Sequence, residues 1–141
     1  NLRSIGFTIE PTNPDLPSPY TTNVMHCWTG RAGKRDRPPT GKELLTCWDW
    51  WTKEIEILAP SVIVLLGKPA SESFGHIYGY SRDFKDLLDY QGEEVDVGSH
   101  RLRRFVVPHP TAPYKGKSAI YSEVFTAVGQ LLQHPRGNTV Q

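Results

Sequence analysis

The sequence predicts an α/β protein with a parallel central sheet flanked by helices, and three observations carry that prediction. Val62 to Leu66 is a continuous run of β-branched and leucine residues, the pattern of a strand covered on both faces, and Gly67-Lys68-Pro69-Ala70 turns it into a short helix. Thr40 to Glu43 has the form of a capping box, and Leu44, Trp48, Trp51, Ile55 and Leu58 then recur at helical spacing until Pro60 stops the pattern. A second apolar run, Leu102 to Val107, ends in Pro108-His109-Pro110 and is followed by an amphipathic stretch from Ser118 to Gln133. Helix, strand, helix, then strand and helix again is the rhythm of a parallel sheet.

In chain order, residues 1–19 form an opening loop with prolines at 11, 14, 17 and 19. Tyr20 to Met25, rich in Thr, Tyr and Val, reads as the first strand present, and Cys27 to Pro39, rich in Gly, Pro and Arg, as a long loop. The tryptophans of the helix after Thr40 serve either the core or as base-stacking platforms; their spacing favours the core, with Cys47 bordering the same face. Asp83 to Tyr90 reads as a short helix, and Glu94 to Val97 pairs with Leu102 to Val107 around Gly98-Ser99 as a hairpin. In the last helix Tyr121, Val124, Phe125, Val128, Leu131 and Leu132 face inward, before a tail at 134–141.

At 141 residues the chain has room for one compact domain, so residues 1–141 are expected to share a single core. It opens at Asn1 without an initiator Met, which is expected of a fragment of a longer protein. The longest apolar run is far short of the roughly 20 residues that cross a bilayer, and the start lacks the order of a signal peptide, so the expectation is no membrane span and a cytoplasmic location. A net charge of +1 decides nothing about nucleic acid. Its distribution says more: Arg31, Lys34, Arg35 and Arg37 share a loop, Arg101, Arg103 and Arg104 sit just before a strand, and Lys115 and Lys117 follow a proline-rich turn. Each cluster neutralises phosphates or is ordinary solvated charge. Cys27 and Cys47 are the only cysteines, and composition leaves them as a metal pair, a disulfide or buried small residues.

Ligands of open α/β sheets sit beyond the carboxyl ends of the strands, where loops converge and helix N-termini offer positive potential. Three expected strand ends carry chemistry: Asn23, Gly67-Lys68 and His109. Singly they also read as an Asx turn, a β-to-α turn and a surface histidine. Together, an amide, a glycine-lysine turn and a histidine between prolines point to a small planar polar ligand attached to a phosphate.

These residues also carry a resemblance. Thr22-Asn23-Val24 with Cys27, the capped helix through Cys47 to Pro60, Val62 to Ala70, and Val107-Pro108-His109-Pro110-Thr111-Ala112-Pro113 are similar, in order, to successive blocks of the uracil-DNA glycosylase superfamily. The similarity covers roughly Tyr20 to Leu132 and is nearest the iron-sulfur, family 4-like branch, of which only the C-terminal part is present. It implies that the protein acts on DNA by flipping out a damaged base and hydrolysing its N-glycosidic bond.

Residue by residue, Asn23 resembles the asparagine that reads the uracil edge, since a carboxamide offers a donor and an acceptor together. His109 resembles the histidine that stabilises the departing base through its O2. Gly67 and Lys68 resemble the turn that approaches DNA phosphate. Thr111, Tyr114, Lys115 and Lys117 fall in the loop that enters DNA, with Tyr114 either the wedge filling the vacated stack or an aromatic packed on the next helix. Cys27 and Cys47 resemble one of the two cysteine pairs that bind a [4Fe-4S] cluster, and the other pair lies upstream in that branch. So does the first strand, whose loop handles the attacking water. The resemblance therefore implies a weakly active or inactive chain in isolation. Two other readings stand beside it: a non-catalytic nucleic-acid-binding relic, and a protein-interaction domain using the Trp-rich helix, which requires exposed tryptophans.

Overall fold

A computed structural model describes residues 19–26, 29–33, 35–80 and 82–133. The chain divides into two compact units, one spanning Thr21–Pro113 and a second whose described part is residues 19–20 and 114–133. The first unit contains a small hairpin, β1 (Arg31–Ala32) and β2 (Arg35–Asp36), then α1 (Gly41–Leu58), β3 (Val62–Leu66), α2 (Lys68–Tyr78), α3 (Phe84–Leu87), β4 (Glu93–Val97) and β5 (His100–Val107). The second contains α4 (Lys117–Gln133).

The capping box at the start of α1 forms as its residues dictate. The Thr40 hydroxyl accepts from the Glu43 N–H at 3.3 Å, and the Glu43 carboxylate accepts from the Thr40 N–H at 2.8 Å. Arg37 closes a third side by donating to Glu43 at 2.8 Å. This guanidinium and the cap bonds to Thr40 hold the Glu43 carboxyl at about 2, against an ordinary 4.5. The far end turns out through Ala59, which adopts a left-handed conformation at φ 41° and donates to Ile55 O at 2.9 Å. Cys47, Trp51 and Ile55 form the buried stripe; Leu44 and Trp48 are half-buried, and Leu58 is exposed near the helix end. Trp50 lies off the stripe and is 67% exposed, so the tryptophans do not share one fate.

The main sheet is mixed, in the order β3-β5-β4, and holds both the expected parallel pair and the expected hairpin. β3 and β5 run parallel, with Val62 opposite Arg103 and Leu66 opposite Val107, while β4 and β5 form the expected hairpin. Among the described residues β3 lies at the edge of this sheet and is only partly covered: Leu65 is buried, Val62 to Val64 are half-buried and Leu66 is 43% exposed. Residues 20–25 are not a strand. Val24 packs against the core, but among the described residues the segment has no ladder partner, and strand composition without a partner leaves extended coil.

The core of this unit is built from Trp51, Ile55, Leu65, Phe74, Leu87, Val95, Val97, Leu102 and Val106. α2 contributes Ser71, Phe74 and Gly75, spaced so that a small-large-small face lies on one side. In the second unit Val124, Phe125, Val128 and Gly129 are buried and Leu132 is 38% exposed, so the last helix follows its predicted face except at its end.

The arginines at 101, 103 and 104 lie within β5, and all three are matched by carboxylates across the hairpin. Arg101 donates to Asp96 at 2.7 Å, Arg103 to Glu94 at 2.8 Å, and Arg104, fully buried, to Glu93. They are cross-strand pairs rather than a phosphate patch.

Candidate functional site

The turn from β3 into α2 is fixed by its backbone. Gly67 has φ 82° and ψ 173°, a conformation open to glycine and strained for other residues, and its N–H donates to Val107 O on β5 at 2.8 Å. Its carbonyl accepts from the Ser71 N–H at 3.2 Å and from the buried Ser71 hydroxyl at 3.0 Å. A Cβ at position 67 would lie 3.0 Å from the Cβ of His109 and 3.4 Å from its backbone nitrogen. Gly67 and His109 are thus packed against each other, as expected of neighbouring strand ends, because the parallel ladder brings Leu66 level with Val107.

His109 leaves β5 through the buried Pro108 and is itself exposed. Two groups of Thr111 reach back to its Nδ1: the hydroxyl oxygen lies at 2.9 Å and the backbone N–H donates at 3.3 Å. An N–H can donate only to an unprotonated ring nitrogen, so this contact selects the tautomer that carries its proton on Nε2. The Ala112 N–H donates to His109 O at 2.9 Å and tightens the same turn. The ring therefore presents an Nε2–H donor.

Beside it α2 begins without a side-chain cap, and Pro69 carries no N–H. The first backbone bond of the helix runs from Ser71 to Gly67, which leaves the amides of Lys68 and Ala70 without helical partners. Lys68 is exposed and among the described residues makes a 3.4 Å ion pair with Glu72, in the weaker i,i+4 order. The Lys68 and Ala70 amides, the Lys68 ammonium and the His109 imidazole thus all follow the carboxyl ends of the parallel pair β3 and β5.

The other expected site residues are less concentrated. Asn23 is exposed on the coil before Val24, and its carboxamide makes no hydrogen bond to a described residue. Tyr114 is 36% exposed, Lys115 is exposed, and the Lys117 N–H donates to Tyr114 O at 3.4 Å at the opening of the second unit. Cys27 lies outside the described residues, and so does its expected approach to Cys47. Cys47 is 5% exposed on the core stripe of α1. A [4Fe-4S] cluster takes four thiolates and this sequence holds two cysteines, so the residues present do not complete one and no step below is routed through it. Among the described residues no group of three or more His, Cys, Asp or Glu gathers as for a metal ion, and no helix is long and apolar enough to cross a membrane.

Sequence reasoning missed two supports of this site, the Ser71 hydroxyl on the Gly67 carbonyl and the Thr111 contacts that set the His109 tautomer. The second had a signal, because Thr two residues from a histidine in a proline-rich turn is within reach of its ring. Among the acidic residues, Asp83 borders a cleft between α1 and α2 with Trp48, His76 and Arg82. Asp86 lies in the short α3, and Asp36 in β2.

A parallel strand pair whose ends carry a glycine turn and a histidine in contact marks an open α/β protein, a class in which ligands sit beyond the carboxyl ends of the strands. The family model of the uracil DNA glycosylase superfamily matches residues 4–133, and the chain belongs to that superfamily. It is 27% identical over 113 residues to the type-4 uracil-DNA glycosylase of Archaeoglobus fulgidus, covering 79% of this chain and 50% of that protein. The chain thus spans about half the length of the curated relative it matches.

Proposed function

We propose that this chain is the base-reading and leaving-group part of a DNA base-excision glycosylase that releases uracil or a related base by hydrolysing its N-glycosidic bond in the cytoplasmic compartment. The observation that carries the proposal is His109, with Nδ1 engaged by Thr111 and an Nε2–H left to donate, seated against the Gly67 turn.

In this reading the target nucleotide is flipped out of the stack and Asn23 pairs with the O4 and N3–H of the base. Phosphate is held by the Lys68 and Ala70 amides, by the Lys68 ammonium, and by Thr111, Lys115 and Lys117, while Tyr114 fills the vacated stack. As the bond between sugar and base breaks, its electron pair leaves with the base and negative charge grows on the base O2. The Nε2–H of His109 donates to that oxygen, a contact worth about 3 to 4 kcal/mol in comparable oxyanion sites. The oxygen of water bonds to the sugar carbon, and a proton of that water passes to the base or solvent.

Placing that water is a task this reading assigns to no described residue, so the chain alone is expected to turn over weakly. The test compares release of labelled uracil from a single-stranded oligonucleotide by this chain, by a longer form restored to the length of the relative, and by the longer form carrying His109→Ala. The longer form should be active and lose roughly 10²- to 10³-fold on His109→Ala. Robust turnover by the chain alone would overturn the division of labour. An active longer form indifferent to the substitution would remove the role given to His109.

A further inference from the structure

β5 is held on its two edges by different means. On one side it pairs in parallel with β3 up to Leu66 opposite Val107, and the Gly67 N–H then takes the Val107 carbonyl. On the other side β4 begins only at Glu93, opposite Arg104, and the Gly92 N–H takes the Arg104 carbonyl at 2.9 Å. Beyond that point no backbone of β4 reaches Val106, whose residue is fully buried.

The side chain of Gln91 takes over there. Its Nε2 donates to Val106 O at 2.7 Å and its Oε1 accepts from the Val106 N–H at 2.9 Å, which is the pairing that a neighbouring strand residue would make. The same Nε2 donates to Leu88 O at 3.0 Å, tying the segment after α3 to the strand. Val106 is three residues before His109, and the connecting Val107 and Pro108 are both buried.

We infer that Gln91 is a positioning residue for His109: its carboxamide acts as a one-residue strand that sets the course of β5 into the Val107-Pro108-His109 turn. The inference deepens the reading of His109 as the leaving-group donor and rests on it for its catalytic meaning. Its physical content is independent, because it concerns where the imidazole sits and which nitrogen carries the proton. The chemistry explains the choice of residue. An amide supplies one donor and one acceptor in a plane, matching the C=O and N–H of Val106, whereas an apolar side chain supplies neither and an ionised carboxylate has no donor. A protonated carboxylic acid again has one of each.

The test uses the full chain labelled with 15N, and reads the imidazole signals of His109, assigned with His109→Gln, together with amide hydrogen exchange at Val106. Thr111→Pro, which lacks both the hydroxyl and the backbone N–H, serves as a positive control for loss of the Nδ1 contacts. In Gln91→Met, the Val106 amide should exchange roughly tenfold faster or more, and the His109 signals should move toward the mixed tautomer pattern of an unrestrained ring. Gln91→Glu should behave like Gln91→Met when its carboxyl is ionised and regain protection at Val106 when it is protonated, which keeps the question answerable if the methionine variant fails to fold. Unchanged His109 signals with Val106 protection lost would overturn the inference, as would unchanged Val106 exchange in Gln91→Met and ionised Gln91→Glu. If the restored enzyme proves indifferent to His109→Ala while these signals respond as expected, the excision role falls and the positioning stands.

Discussion

Replacing Gly67 by alanine perturbs backbone conformation and site geometry at once, and the structure separates the two contributions. At φ 82° and ψ 173° an alanine pays about 1 to 3 kcal/mol of backbone strain. Its Cβ would stand 3.0 Å from the His109 Cβ, where the neighbour is a short side chain on a turn tied down by Thr111 and Ala112. Crowding of that kind adds about 1 kcal/mol or more, for a total of about 2 to 4 kcal/mol. In a chain of this size that lowers Tm by roughly 6 to 15 °C. Gly79→Ala is a control for a positive φ without crowding: Gly79 is left-handed at φ 76° and ψ 16°, a milder strain for alanine, and nothing lies within 4 Å of its would-be Cβ, so the His109 signals carry the comparison. Thermal unfolding by circular dichroism should show the larger loss for Gly67→Ala, and only that variant should disturb the imidazole signals of His109. Equal losses in the two variants, with His109 undisturbed in both, would refute the claim that the turn and the histidine are packed as one unit.

The α1 cap makes a pH prediction. The Glu43 carboxyl is depressed to about 2 by Arg37 and the cap bonds, so its folded value lies below the unfolded one. Its contribution is then fully present above about pH 4.5 and is lost as pH falls toward 2; Glu43→Gln should flatten the acid limb of a stability-against-pH curve in that window. At the other end of the helix Ala59→Gly relieves a left-handed alanine at φ 41° and should raise stability by about 1 kcal/mol, read as a higher urea midpoint with an unchanged slope.

Much of the fold was legible because its signals are local. The Thr40-to-Glu43 box, the four-and-three spacing through Trp51 and Ile55, and the Gly98-Ser99 turn each specify an element from residues within a few positions. Residues 20–25 misled for the opposite reason: Thr, Tyr and Val suit a strand, but a strand exists only where another backbone pairs with it. The arginines of β5 read either as phosphate-binding or as ordinary charge, and the hairpin register, which sets Asp96, Glu94 and Glu93 opposite Arg101, Arg103 and Arg104, follows from the turn. The meeting of Gly67 and His109 was readable from their equivalent places after parallel strands. The bond from Gln91 to Val106 spans 15 positions and leaves no periodic trace, so only the folded structure reveals it.

The charge ladder on the β4–β5 hairpin has a consequence for how a polyanion meets this protein. Each of its three arginines has a carboxylate one strand away, so the local fields cancel within a few ångströms and this part of the surface offers an approaching strand neither pull nor push. In the proposed action on DNA, orientation during a diffusive encounter is then decided by charges outside the hairpin. Reversing a single hairpin acid to lysine would create a competing landing place, slowing productive encounters at low ionic strength without altering any residue of the strand-edge site.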